Sequence, residues 1–246
     1  MKKNYNGKVL IKVKKAIRQF SLLKEGDKIA VGLSGGKDST TLFYLLHILK
    51  KQLLVNFEIV PINLGVGFDI DNTPLRLWIE KLGYDLVYRE TSIANVVFDI
   101  RQEERPCSLC ANMRRGALNN VAKELGCNKV ALGHHLDDEI ETFFLNIFYA
   151  GKMGIFQPKT YLSRIGLEVI RPMIFVQEEA IKSMIKEFDL PVINSCCPKD
   201  GHSKRQEMKE LVIKLQLQFP SMREKFMTSF LDVETNAFWI SEPFQK

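Results

Sequence analysis

Nowhere in the 246 residues is there an apolar run long enough to span a bilayer. The opening Met1-Lys2-Lys3-Asn4-Tyr5 leads into a charged segment and lacks the apolar stretch of a signal peptide. A cytoplasmic protein without a membrane partner is therefore expected. No internal repeat, low-complexity tract or long linker interrupts the chain, which sets aside solenoids and strings of separate domains. Cysteine is scarce: Cys107, Cys110, Cys127, Cys196 and Cys197 are the only five. In a reducing compartment they are poor candidates for structural disulfides, and their spacing reads better as metal chemistry. A Walker A loop is also missing. That loop needs four residues between its glycines and then Lys with Ser or Thr, whereas Lys37 here is followed by Asp38.

What is present suits one large domain, or one domain with a small appendage. The apolar fraction of 46% is enough for an ordinary core. Lys and Arg number 35 against 29 Asp and Glu, a formal net charge of +6. Such an excess suits a polyanionic partner, and equally a merely basic soluble enzyme. The basic residues cluster: Lys8, Lys12, Lys14, Lys15 and Arg18 lie in one segment, and Lys204, Arg205, Lys209 and Lys214 in another.

Hydrophobic periodicity predicts helices over 8–21, 38–50, 71–82, 111–125 and 136–149. Between them, short apolar runs at 28–33, 57–64, 85–89 and 129–133 predict strands. This alternation implies an α/β fold, a doubly wound parallel sheet with helices on both faces. Ligands of such sheets sit at the carboxyl ends of the strands. Past residue 150 the pattern is less regular, with helices predicted at 177–188 and 204–218. The expected organisation is a basic N-terminal helix (1–25), a nucleotide-binding domain carrying the cysteines (26–220) and a C-terminal tail (221–246) with Phe238, Trp239 and Phe244.

Two stretches at predicted strand ends carry chemistry. Ser34-Gly35-Gly36-Lys37-Asp38-Ser39 joins the first strand to a helix. Its glycines let backbone N–H groups approach phosphate oxygens, and the helix N-terminus adds partial positive charge. Lys37 can neutralise phosphate charge, Ser34 and Ser39 can donate hydroxyl bonds, and Asp38 can hold Mg2+. The second stretch is Gly133-His134-His135-Leu136-Asp137-Asp138-Glu139-Ile140-Glu141-Thr142. Asp137 and Asp138 open a helix and Glu141 shares a face with Asp138, which suits magnesium or proton chemistry as well as helix capping. Cys107 and Cys110 have the Cys-x-x-Cys spacing shared by metal sites and redox dithiols. Two thiolates do not close a metal site, so a third ligand must come from elsewhere, with Cys196 and Cys197 as candidates. Zinc, an iron–sulfur cluster and a persulfide-carrying thiol pair all remain open on spacing alone. Cys127, at a helix–strand junction, reads as a small core residue.

Ser34 to Ser39 match the loop signature of the PP-loop ATP pyrophosphatase superfamily. In order along the chain follow Cys107-Ser108-Leu109-Cys110 with Arg114 to Leu118, then Gly133 to Thr142 with Phe148 to Lys152, then Pro158-Lys159 and Ile170-Arg171-Pro172. This ordered set, over roughly residues 10–215, resembles the tRNA 2-thiocytidine synthetase group of that superfamily. The resemblance implies an adenine-nucleotide α-hydrolase-like fold with a helical C-terminal extension. It implies ATP cleavage between the α- and β-phosphates, adenylation of a tRNA pyrimidine, and thiolation assisted by a [4Fe-4S] cluster. The sulfur donor would be inorganic sulfide or a persulfide carrier, and the chain would be free to pair as a homodimer. Under the resemblance, Lys37, Asp38, Asp137 and Asp138 are catalytic, and Ser34, Gly35, Gly36, Lys37, Asp38, Ser39, Asn63, Gly133, His134, Lys159 and Arg171 bind ATP. The cluster ligands would be Cys107, Cys110 and Cys197, because Cys197-Pro198-Lys199-Asp200-Gly201 is similar to the form in shorter relatives. Longer relatives show a second Cys-x-x-Cys where this chain has adjacent cysteines. A lysidine-synthetase-like tRNA ligase shares the loop and the Asp-Asp motif but has no use for the cysteines. A small-molecule sulfur transferase and a non-catalytic metal-containing RNA-binding module are the other readings.

Overall fold

The computed structural model describes residues 5–103, 106–194, 196–197 and 204–233. The chain runs α1 (Tyr5–Gln19), β1 (Asp27–Gly32), α2 (Lys37–Lys50), β2 (Phe57–Gly65), α3 (Thr73–Lys81), β3 (Val87–Glu90), α4 (Pro106–Glu124), β4 (Lys129–Ala131), α5 (Leu136–Leu145), β5 (Lys159–Leu162), β6 (Leu167–Ile170), α6 (Glu178–Phe188), α7 (Lys204–Gln218) and α8 (Met222–Leu231). The sheet order is β3-β2-β1-β4-β6-β5. All neighbours are parallel except β5 and β6, which form an antiparallel edge hairpin. The sequence pattern misses this hairpin because both strands are only four residues long and one edge strand is half exposed.

The strands alternate, so the sheet has two apolar faces. Ile29 and Val31 of β1 pack with Phe43, Leu45 and Leu46 of α2, Ile79 of α3 and Ile181 of α6. Ala30 faces the other way, against Leu118 and Ala122 of α4 with Val130 and Val169. The basic helix α1 is part of the first face, since Val9, Val13, Ala16 and Ile17 belong to the same cluster.

Residues 222–231, expected within the tail, form α8. Met222, Phe226 and Phe230 recur at i, i+4 and i+8, and Phe226 and Phe230 pack edge-on against Phe143 of α5. With α7, Met222 and Phe226 build a third cluster around Leu136, Ile140 and Val212. The rest of the tail, with Phe238, Trp239 and Phe244, lies outside the described residues, as does Pro198 to Gly201.

The chain moves outward from β1 to β2 and β3, then returns to place β4 on the opposite side of β1. The crevice between the ends of β1 and β4 is thus the topological switch point, where doubly wound sheets hold ligands.

Candidate active site

The loop after β1 is held by its own serines. Ser39 Oγ donates to the Gly36 carbonyl at 3.0 Å, and the Ser34 N–H donates to Ser39 Oγ at 3.2 Å. Gly36 caps α2 in an extended conformation with no side-chain hydrogen bond, so first-turn N–H groups are presented at the helix end. Gly35 has φ +79°, a conformation that disfavours side chains, and a Cβ there would sit 3.0 Å from Ile193. Ile193 in turn donates its N–H to the Gly35 carbonyl at 2.9 Å. The segment leading towards Cys196 and Cys197 is therefore tied to the phosphate loop. At the end of β4, a Cβ on Gly133 would lie 3.0 Å from the Asp38 carbonyl, so glycine lets the end of β4 approach the first turn of α2 this closely.

Between them lies a cavity of about 360 Å³. Ser34, Asp38, Ser39, Gly133, His134 and Asp138 line its polar side, and Ile62, Leu64, Leu118 and Leu132 its apolar side. Arg114 and Arg115 of α4 complete the wall. This combination of an apolar floor with a few converging polar groups is typical of a small-molecule site.

The charges around the cavity form a connected network. Lys37 Nζ lies 2.8 Å from Asp38 Oδ2 and 3.2 Å from Glu178 Oε1. Burial works to depress the Lys37 ammonium, but Asp38 and Glu178 outweigh it and raise its pKa. Glu178, at the first position of α6, also receives Lys209 at 2.7 Å and Lys182 at 3.3 Å. Burial opposes its ionisation, yet Lys209 and Lys37 hold its carboxyl down at about 2. Arg205 of α7 reaches Asp138 at 3.1 Å and Glu141 at 3.4 Å. Burial, reinforced by Asp138, pushes Glu141 up to about 7, and burial pushes Glu139 up to about 8. Asp38 Oδ1 is buried without a hydrogen bond, 3.5 Å from His135 Nε2.

Asp137 and Asp138, paired in sequence, part company in space. Asp138 faces the cavity, whereas Asp137 is buried with both oxygens engaged. Its Oδ1 accepts from Arg223 Nε of α8 at 2.7 Å and its Oδ2 accepts the Glu178 N–H at 2.7 Å. Asp137 is thus a strut joining α5, α6 and α8, each of its oxygens accepting one hydrogen bond. Asp137→Ala is expected to destabilise the protein by about 3 kcal/mol, because it strands the Arg223 charge and a buried N–H. Urea unfolding measures this, and a loss below about 1 kcal/mol would show the strut to be weak.

The other sequence candidates divide similarly. Asn63 is buried and donates from Nδ2 to the Leu33 carbonyl at 2.6 Å, bracing the strand before the loop. Arg171 reaches the cavity only through His134, to whose Nδ1 it donates at 3.3 Å. Lys159 turns away: its Nζ lies 3.4 Å from the Ser21 carbonyl and 3.8 Å from Glu168, on the edge hairpin. The sequence reading missed Glu178, Arg205, Lys209 and Arg223 as members of this network. Only the basic run at 204–214 carried a signal for two of them.

Cys107 and Cys110 occupy the first turn of α4, three residues apart and on one face. Burial pushes the Cys110 thiol up, Arg114 opposes this, and the neighbouring Cys197 and Cys107 raise it further. Cys197 is half-buried, whereas Cys196 is exposed. Among the described residues no group of three His, Cys, Asp or Glu closes tightly enough on a single metal ion. Cys127 is buried beside Val130 in the second core face.

A family model described as a PP-loop domain matches residues 6–215. The chain belongs to the PP-loop family. The tRNA-cytidine(32) 2-sulfurtransferase of Syntrophotalea carbinolica is 38% identical over 227 residues, which cover 89% of this chain and 86% of that protein. The enzyme of the same name from Citrifermentans bemidjiense is 36% identical over 230 residues, covering 90% and 89%. In three dimensions the chain is similar to the U34-tRNA thiolase NcsA from Methanococcus maripaludis, solved with its [4Fe-4S] cluster. That match has a TM-score of 0.76 and 24% identity, over 92% of this chain and 77% of that one. At this identity the match establishes the PP-loop fold.

Proposed function

We propose that the protein is an ATP-dependent tRNA sulfurtransferase that thiolates a cytidine through an adenylated intermediate. The observation that carries this reading is the course of α4. Its first turn holds Cys107 and Cys110, and the next turns supply Ala111, Arg114, Arg115 and Leu118 to the wall of the PP-loop cavity. At 1.5 Å rise per residue, Cys110 and Arg114 are about 6 Å apart along the helix axis. A sulfur site and a nucleotide site on one short rod suit sequential activation and sulfur transfer on one base. Relatives at 38% and 36% identity that carry the name tRNA-cytidine(32) 2-sulfurtransferase support the same substrate.

In this reading the ATP phosphates lie on the loop from Ser34 to Ser39. Lys37 exchanges Glu178 for phosphate oxygen, while Lys209 and Lys182 keep the Glu178 carboxylate paired. Asp38, with its orphaned Oδ1, and Asp138, on the cavity wall, suit the hard-oxygen demands of Mg2+. The base oxygen attacks the α-phosphate and pyrophosphate leaves. Charge developing there is met by Lys37 and the N-terminal amides of α2. Leu64, Leu118 and Leu132 limit water at the adenylate.

Cys107, Cys110 and Cys197 suit a [4Fe-4S] cluster, being an all-thiol set gathered about Cys110. A cluster bound there would be held by these three thiolates and would supply sulfur-transfer chemistry. Arg114, next to Cys110 in the helix, is placed to hold anionic sulfur near the base.

Mass spectrometry of tRNA nucleosides, from cells with and without the gene, tests the reading. Loss of 2-thiocytidine is expected, and an unchanged nucleoside profile would sink it. The tRNA itself is expected to lie along α1, whose Ile11, Lys14, Lys15, Arg18 and Gln19 line an open groove. Lys14 Nζ donates to Gln52 Oε1 and Lys15 Nζ lies over the Phe175 ring, so both ammonium groups are held along the groove. Affinity should fall log-linearly with salt, and Lys12→Glu with Lys15→Glu should flatten the slope by about two contacts. An unaltered slope in the double variant would leave α1 an ordinary solvated face.

A further inference from the structure

His134 follows β4, and the groups packed on its ring hold one face and one nitrogen. Phe156 stacks on it with centroids 4.5 Å apart and planes at 30°. Arg171 lies over the Phe156 ring at 5.2 Å, donates from Nη1 to the Gln157 carbonyl at 2.6 Å and from Nε to His134 Nδ1 at 3.3 Å. Glu139 accepts the Phe156 N–H at 2.9 Å, anchoring the stack to α5. A guanidinium has no acceptor, so His134 Nδ1 must offer its lone pair. A neutral imidazole with a bare Nδ1 carries its proton on Nε2. His134 lines the cavity beside Ser34, Asp38 and Asp138, and with Nδ1 engaged by Arg171 the nitrogen left for a ligand is Nε2.

We propose that His134 is a neutral hydrogen-bond donor, held in its Nε2–H form by Arg171 and Phe156, that donates to the oxygen of the target base as that oxygen departs with AMP. The inference rests on the reading of the cavity as the place where the base is adenylated. Burial, with Arg171, Arg205 and His135 against Asp138, pushes the imidazole down to about 4. Those are the titratable and charged groups facing the ring: Asp138 and His135 from the start of α5, Arg171 after β6 and Arg205 from α7.

Neutrality suits the role. A cation at this place would grip ATP phosphates in the ground state, whereas a neutral N–H gains most as charge grows on the departing oxygen while the C–O bond breaks. In the transfer step a hydrosulfide-level nucleophile forms the C–S bond as the C–O bond breaks. The electron pair of the broken bond leaves on the AMP oxygen, the hydrosulfide proton passes to solvent, and the His134 proton stays on Nε2.

Long-range 1H–15N spectra of the whole chain test the tautomer. There are four histidines, and His134 is assigned by its loss in His134→Asn. The Nε2–H pattern is expected, unchanged across neutral pH. An Nδ1–H pattern, or titration near the ordinary value of about 6.5, overturns the proposal. Kinetics test the role. His134→Leu should lower kcat for thionucleoside formation about 10²-fold, with single-turnover pyrophosphate release in the presence of tRNA and KM for ATP each changed less than about threefold. His134→Asn, which retains a donor, should recover part of the loss. A raised KM with unchanged kcat would make His134 an ordinary nucleotide contact. A wild type that is active, with His134→Leu equally active, refutes the proposal alone. A wild type that releases no pyrophosphate with tRNA removes the parent reading and the proposal together.

Discussion

Lys37→Ala should lower tRNA-dependent pyrophosphate release about 10²- to 10³-fold, the usual loss when a preorganised group that stabilises transition-state charge is removed. The ammonium stands between Asp38 and Glu178 at the mouth of the loop, with its charged form favoured by both. Its side chain belongs to none of the apolar clusters of the core. Glu178 retains Lys209 and Lys182 when Lys37 is removed, so its buried carboxylate is not stranded. The variant should therefore melt near wild type while losing turnover. Asp38→Ala should behave alike, through loss of the carboxylate offered to magnesium. Near-wild-type release by both variants would show that the loop does not act on the α-phosphate.

Cys197→Ser should abolish iron binding and thionucleoside formation, and Cys196→Ser should keep most of both. Anaerobically purified wild type should be brown and bind about four iron atoms per chain. Cys197 is close enough to influence the Cys110 thiol, as Cys107 does, while Cys196 is exposed. Neighbouring side chains on an extended segment point to opposite sides, so one of the pair at most can face α4. Pro198 restricts Cys197 to extended or polyproline geometry, which narrows its direction. Serine preserves shape and removes a good iron ligand. Adenylation should survive in Cys197→Ser, because the PP-loop does not depend on the thiol. Iron content and thionucleoside yield, compared side by side, decide the matter. The reverse pattern would move the third ligand to Cys196, and stoichiometric zinc without iron would replace the cluster with a structural metal.

Local spacing in this chain accounts for a large part of its architecture. The run Lys28 to Leu33, the glycine turn and the apolar helix after it could be read as strand, phosphate loop and helix. The structure has them as β1, the loop and α2. The parallel order of the inner strands followed from the alternation of strands and helices. Each of these features depends on contacts within a few residues or on a repeating pattern, and both are written directly in the sequence. α8 was missed although Met222, Phe226 and Phe230 carry a helical stripe, because the stripe is short and its counterpart, Phe143, lies far away in the chain.

By itself the sequence determined the loop chemistry, the Cys-x-x-Cys pair, the acidic motif after the fourth strand and the basic excess. Tertiary structure alone decided what each charged side chain meets. Asp137 and Asp138 are neighbours with the same chemistry, yet packing buries one against Arg223 and turns the other to the cavity. Glu178 follows a segment with no motif and becomes the meeting point of Lys37, Lys182 and Lys209. Lys159 stands one residue after Pro158 in a recognisable pair and ends on the sheet edge, beside Glu168. An ion pair between residues 141 positions apart, such as Lys37 and Glu178, forms only after the core has brought α2 and α6 together. No periodicity encodes that distance, because the free energy that sets it comes from apolar burial elsewhere in the molecule.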